Sequence, residues 1–213
     1  MKLFQKIQTL TLLKFNKKQI SLKRSFYERL FSRYADGQFY YNFLQNKNKI
    51  ETSIAIKHTN NIKLNELSLS DIIRLYGSPN YEANSDKIIP LKILFYKHSF
   101  VKHKTLLEFH FLNNNLFFYR KTFLKIGKEI RKEIIHTIKE KYVSKEIFDN
   151  KNNYIVDDDD TILLTHDNAM YFSLFYMNNH KVFLEKISDN INFTKLKKTE
   201  NKKKYITRLS NSL

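Results

Sequence analysis

Four consecutive aspartates, Asp157 to Asp160, form the densest set of metal-ligating side chains in the sequence, and His166 and Asp167 follow a few residues later. Clustered carboxylates can hold Mg²⁺ or Ca²⁺, and with a histidine they can serve a metal-dependent phosphodiesterase. The spacing opposes that use. Consecutive residues of a strand or turn project in alternating directions, and a calcium loop of the EF-hand kind needs alternating ligands, a glycine and a distal glutamate. The four aspartates read as a solvated hairpin turn, and neither a metal nor a cofactor is expected.

A second set, His98, His103 and His110, falls on or beside two adjacent strands. His98 and His103 lie across a turn, but His110 is about 20 Å further along its strand, so the three do not converge on one ion. The three glycines, Gly37, Gly77 and Gly127, are far apart and build no phosphate-cradling loop. No nucleophile elbow or zinc-protease signature occurs. Cysteine is absent, which excludes disulfides, thiolate metal sites and a cysteine nucleophile. A conventional enzyme is therefore not expected.

What remains is charge. The formal net charge is +17 over 213 residues, and most of it sits at the two ends. Residues 1–34 carry +8 and residues 195–208 carry +6, leaving a nearly neutral body. Lysines that pair with phosphates release condensed counterions, so basic arms on a neutral body suit a phosphate polymer. The expected phosphate-contacting residues are Lys17, Lys18, Lys23, Arg24, Arg29 and Arg33 near the first end. At the second end they are Lys197, Lys198, Lys202, Lys203 and Lys204. The expected partner is RNA within a large assembly such as a ribosome. The alternative is an envelope-associated protein whose first 27 residues, rich in lysine and free of acid, target it or contact lipid. An intracellular or organellar-matrix location suits the first reading; import or secretion suits the second. The scarcity of glycine, proline and alanine beside abundant Lys, Asn, Ile and Phe also matches AT-rich codons, so part of the lysine excess reflects the genome.

Aromatic residues adjoin basic ones at Phe95, Tyr96, Lys97 and at Phe117, Phe118, Tyr119, Arg120. On an exposed sheet such residues stack on bases. The glycines of an RNA-recognition signature are missing here, and core packing is expected.

The elements that must position these groups follow from periodicity. Ile20, Phe26, Tyr27, Leu30, Phe31 and Tyr34 recur at helical spacing over 17–34, predicting a basic amphipathic helix whose apolar stripe docks on the core. Residues 36–66 read as a connection with a short strand at Thr52–Lys57. Ser68 or Ser70 caps a helix over Leu69–Tyr76, stopped by Gly77 and Pro79. Strands follow at Leu91–Lys97, Lys104–Phe111 and Leu116–Lys121. Asparagines 113 to 115 turn the last pair. In the middle strand Leu107, Phe109 and Phe111 share the face expected to pack inward, with Leu106, Glu108 and His110 on the other. A helix from Phe123 or Ile126 to Tyr142 carries isoleucines every four residues, and strands at Asn153–Val156, Thr161–Thr165 and Ala169–Met177 complete the body.

The expected fold class is α+β: antiparallel meanders with packed helices, in element order two α-β-β-β units of one layered domain. A basic segment (1–34) precedes the body (35–194), and a basic tail (195–213) follows it. No run of apolar residues approaches the roughly 20 needed to cross a bilayer.

Overall fold

Asn113 and Asn114 both take positive φ, at 50° and 66°, and close a two-residue turn in which Leu112 pairs with Asn115. Both central residues of such a turn are left-handed, and asparagine tolerates that conformation better than most residues do. The neighbouring hairpin turns at Val101 and Lys102, also with positive φ. These turns fold three ten-residue strands, β3 (Leu91–Phe100), β4 (His103–Leu112) and β5 (Asn115–Leu124), into an antiparallel meander.

The computed structural model describes residues 24–35, 37–57, 62–85, 90–143, 148–168, 170–178 and 181–210. Ahead of the meander come helix α1 (24–32), a short helix α2 (Gln38–Asn42), strand β1 (Asn48–Thr52), helix α3 (Leu69–Tyr76) and strand β2 (Tyr81–Ser85). After it come helix α4 (Lys128–Tyr142), strands β6 (Asn153–Asp157), β7 (Thr161–Asp167) and β8 (Tyr171–Asn178), and the long helix α5 (Lys181–Ser210). All eight strands form one mixed sheet in the order β1-β6-β7-β8-β5-β4-β3-β2. The two meanders meet at the antiparallel β5–β8 pair, and β1 lies parallel to β6 at one edge.

The sheet buries both faces. Strand alternation sends Phe95, Leu106, Phe118, Leu164 and Phe175 to one side, where Tyr27, Leu30, Tyr34 and Tyr40 from the N-terminal helices cover them. The other side carries two clusters. One gathers Leu94, Leu107, Phe109 and Tyr119 with Ile72 of α3. The other gathers Phe123, Leu163, Phe172 and Leu174 with Ile138 and Tyr142 of α4. This is an α+β fold in three layers. α5 lies next to α2, and no described helix is long and apolar enough to cross a membrane.

Several expectations change. The face of β4 holding Leu106, Glu108 and His110 was expected to look outward, yet all three are buried, because the N-terminal helices lie across it. The connection over 36–66 contains α2 and β1, and β1 precedes the strand expected at Thr52–Lys57 because its partner β6 lies a hundred residues away. β2 was not expected at all. The first helix is described from residue 24; residues 17–23 lie outside the described residues. Residues 195–210, whose composition suggested a flexible tail, continue α5. No glycine or proline follows Gly127, so nothing in the sequence stops a helix of Lys, Leu and Glu.

α3 shows local chemistry acting as the sequence indicates. The Ser68 hydroxyl accepts from the Asp71 amide, and the Asp71 carboxylate accepts from the Ser68 amide at 3.0 Å. This reciprocal pair satisfies two otherwise orphaned donors. At the other end Gly77 sits at φ 74° and ψ −159°, a conformation that only glycine adopts readily. Ser68→Ala should therefore lower unfolding free energy by about 1 kcal/mol. Gly77→Ala should lower it by about 1–3 kcal/mol. No atom within 4 Å would meet the new methyl group, so that loss is one of backbone strain. Chemical denaturation of both variants checks this.

Candidate anion-binding site

β5 places two adjacent cations on opposite faces of the sheet. Arg120 points toward the N-terminal helices, opposite Glu108 of β4 in the ladder. Its guanidinium lies 3.3 Å from Glu108 Oε1, and both side chains are almost fully buried. Charges removed from water need partners, and these are supplied from two directions. Tyr34, just beyond α1, donates its hydroxyl to Glu108 Oε2 at 2.7 Å and accepts from Arg120 at 3.1 Å. Ser173 of β8 accepts two longer bonds from Arg120 and lies 3.0 Å from the Thr122 hydroxyl. Phe175 and Tyr171 present ring faces to the guanidinium at 5.1 and 5.5 Å.

His110 extends the cluster. Its Nδ1 lies 2.7 Å from the Tyr40 hydroxyl, which as donor would leave the proton on Nε2. Nε2 faces Glu108 at 3.9 Å, too far for a hydrogen bond, so the two interact only through space. Burial holds the His110 imidazole below its ordinary value despite the carboxylate nearby. Burial also pushes the Glu108 carboxyl upward, but Arg120, His110 and Tyr34 outweigh it and keep the group below the usual carboxylate range. Burial, with Glu108 next, raises the Tyr34 hydroxyl far above its ordinary value, so it remains a donor.

The outer side of Arg120 forms part of a pocket of about 190 Å³ between the sheet and α2. Arg33, Lys47 and His166 bring basic groups to it. Phe39 and Phe43 of α2, with Tyr171 and Phe175 of β8, supply aromatic walls. Among the described residues no carboxylate lines it. Burial, then Arg120 and Lys47, depresses the His166 imidazole, so among the described residues Arg33 and Lys47 are the pocket's cations without a carboxylate partner. Lys47 also donates to the carbonyl of Lys151, which anchors its ammonium at the rim. Such a site favours an anion with a planar, apolar body.

The residues singled out in the sequence are dispersed. Lys17, Lys18 and Lys23 lie outside the described residues. Arg24 pairs with Glu28 at 2.8 Å on the exposed side of α1, and Arg29 bonds the Ser25 carbonyl. Only Arg33 reaches the pocket. Lys202, Lys203 and Lys204 are exposed on the last turns of α5; Lys197 and Lys198 belong to the same helix, and their side chains lie outside the described residues. The aromatic runs Phe95–Tyr96 and Phe117–Tyr119 pack in the core. His98 and His103 lie at the far end of the β3–β4 hairpin from buried His110.

Asp157 to Asp160 form the β6–β7 turn. The buried Asp157 carboxylate accepts from the amides of Ile56 (2.6 Å), Asp159 (3.1 Å) and Thr161 (2.8 Å), and Asp159 pairs with Lys63 at 2.7 Å. Among the described residues no group of three or more His, Cys, Asp or Glu is arranged to hold a metal ion. Sequence reasoning missed Glu108, Tyr34, Tyr40, Lys47 and Arg120 as a set. One signal was present: pairing outward from the Asn113–Asn114 turn brings Glu108 opposite Arg120 once a bulge at His110 and Phe111 is allowed.

Comparison with protein-family models, with curated proteins and with solved structures gives no match.

Two outcomes test this geometry. Arg120→Met leaves Glu108 buried without its cation and should cost about 3–5 kcal/mol, whereas adding Glu108→Leu to it should recover a large part of that loss. A double-mutant cycle by denaturation measures the coupling. Acidification should destabilise the wild type below pH about 6.5, where the unfolded chain takes up a proton that buried His110 resists. It should continue as pH falls through the lowered value of Glu108. His110→Gln should flatten the first part of that profile.

Proposed function

We propose that the chain is a non-enzymatic binding protein for an anionic polymer, RNA within a large assembly such as a ribosome. The observation that carries the reading is the pocket in which Arg33 and Lys47 converge with four aromatic rings and no carboxylate among the described residues. Its size suits one planar base, and its cations suit the attached phosphate. Stacking on aromatic rings and neutralisation of phosphates are the two terms by which proteins hold single-stranded nucleic acid.

The basic helix adds the second term. From Glu200 to Arg208 every residue of α5 is exposed, so this end stands clear of the body with Lys202, Lys203, Lys204 and Arg208 around it. α5 lies next to α2, which carries two of the pocket's rings. A chain of phosphates leaving the pocket would meet further positive charge there. Lipid contact is the poorer fit for α5. Among its described residues the exposed apolar side chains Leu196, Tyr205 and Ile206 stand at about 0°, 180° and 280° around the helix, and Arg208, Lys202 and Lys203 separate them, so they build no single apolar face of an interfacial helix.

The test is fluorescence anisotropy of a mixed-sequence single-stranded RNA at about 50 and 200 mM salt. The wild type should bind with a steep salt dependence. Changing Lys202, Lys203, Lys204 and Arg208 to Gln should weaken binding tenfold or more and flatten the log–log salt slope by about 0.7 per lost phosphate contact. Arg33→Gln with Lys47→Gln should weaken it several-fold at unchanged fold stability. Absence of binding by the wild type at 50 mM salt would sink the reading.

A further inference from the structure

Lys121 follows Arg120 on β5 and therefore enters the opposite face of the sheet, between the clusters under α3 and α4. Its strand neighbours on that face, Tyr119 and Phe123, are buried, and its ladder partners are Leu107 and Leu174. Every adjacent position is filled as a core position would be, so an amine here departs from the pattern the sheet demands. Unlike Arg120, it has no carboxylate partner among the described residues. Its Nζ lies 3.2 Å from the centre of the Phe100 ring and 5.6 Å from that of Phe123.

Beside this amine is a second pocket, of about 180 Å³. Leu75 and Tyr76 of α3 form one wall, Phe100 and His98 of β3 another, and Leu107 and Tyr119 line it from the sheet. The titratable groups facing Lys121 are Tyr76, His98 and Tyr119. Burial holds the Tyr119 hydroxyl well above its ordinary value, and no carboxylate is among the described residues lining the pocket. The rim is apolar too, with Phe100 43% and Leu75 37% exposed. The sheet's backbone donors are used in the ladder, and the lining offers no second ammonium or guanidinium. That separates this pocket from the one on the other face: it is built for a neutral, apolar molecule, with one amine at its floor.

We infer that Lys121 is a carbonyl-capturing amine, and that its pocket takes a small aldehyde or ketone carrying an apolar or aromatic substituent. The chemistry follows from a largely buried amine in an apolar cavity, where lost hydration leaves part of it uncharged and nucleophilic near neutral pH. The Nζ lone pair adds to the carbonyl carbon while the C=O π electrons move to oxygen. A proton passes from nitrogen to that oxygen, giving a carbinolamine. The second N–H proton and the hydroxyl then leave as water, and a C=N bond remains. Atoms balance with one water released and no electron gained or lost. His98 lines the same pocket and is the imidazole available there to carry the proton to the departing hydroxyl. Burial supports the step by lowering the ammonium of Lys121 from 10.5 to about 8. At pH 7.5 such a lysine is about one quarter neutral, against about one part in a thousand for a lysine at the ordinary value.

The experiment uses the full chain with benzaldehyde and cyanoborohydride, which reduces each imine to a stable benzylamine, followed by peptide mass mapping from pH 6.5 to 10.5. Lys121 should be labelled at least tenfold faster at pH 7.5 than the exposed Lys102 and Lys104 of the neighbouring turn, with a midpoint near 8. Glyoxylate, small and charged, should show a smaller excess at Lys121. Phe100→Glu, at a half-exposed position, puts a carboxylate beside the amine and should slow labelling tenfold or more while moving the midpoint upward. Equal labelling of Lys121 and Lys104 in the wild type overturns the inference, as does a Phe100→Glu profile identical to that of the wild type.

Discussion

A carboxylate and a guanidinium placed in the middle of a sheet face are tolerable only if every oxygen and N–H finds a partner, since a single unpaired ion in the interior is destabilising by several kcal/mol. Glu108 and Arg120 come close to that condition jointly: Tyr34 donates to Glu108 Oε2, while Oε1, which has no hydrogen bond, faces the guanidinium at 3.3 Å. The sheet contributes Ser173 and Thr122, and the N-terminal segment contributes Tyr34. The N-terminal helices are therefore held to the sheet by more than apolar contact. Tyr34 must reach both ions and Tyr40 must reach His110, which fixes where α1 and α2 lie along the strands. The position of the Arg33–Lys47 pocket follows, because its walls are the rings of α2 and the outer side of the same guanidinium.

β5 is where the two halves of the sheet meet, and its consecutive cations illustrate what strand alternation does with charge. Arg120 enters a face where an acid waits, and it becomes a structural ion whose far side still lends positive potential to a pocket. Lys121 enters a face made of leucine and aromatic rings, and it loses its hydration without gaining a counter-ion. One residue of register separates a group that is charged at every physiological pH from one that is partly neutral. The two pockets inherit opposite chemistry from that difference.

The basic ends join this body in unlike ways. α1 buries Tyr27 and Leu30 and keeps Arg24 and Arg29 outside, so its charge decorates a docked helix. The end of α5 is basic and exposed from Glu200 to Arg208, with Tyr205 and Ile206 among its charged residues. A helix without a buried face is poorly stabilised on its own. A partner that neutralised its lysines would relieve their mutual repulsion, which fits the proposed contact with a phosphate chain.

How much of this was legible differs by range of interaction. The amino-acid order determined what depends on near neighbours. The cap and stop of α3, the asparagine turn of the β4–β5 hairpin, the isoleucine stripe of α4 and the alternating strands of both meanders all rest on contacts within a few residues. The aspartate turn was legible as a turn for the same reason, but Asp157, expected to be solvated, is buried because it accepts from the distant Ile56 amide. α4 begins at Lys128 and not at Phe123, because β5 runs on to Leu124 before the chain turns at Lys125. What the sequence could not determine is which side of a strand would find cover. Glu108 and His110 alternate with Leu107 and Phe109 as an outward face would, and only the docking of Tyr34 and Tyr40, about seventy residues away, turns that face into interior. β1 depended in the same way on β6, and the pocket on Arg33, Lys47 and His166 arriving from three separate segments. Charge and periodicity are local quantities that a sequence displays; a buried ion pair and the pocket beside it are products of chain closure, and they exist only once the sheet and its covering helices have met.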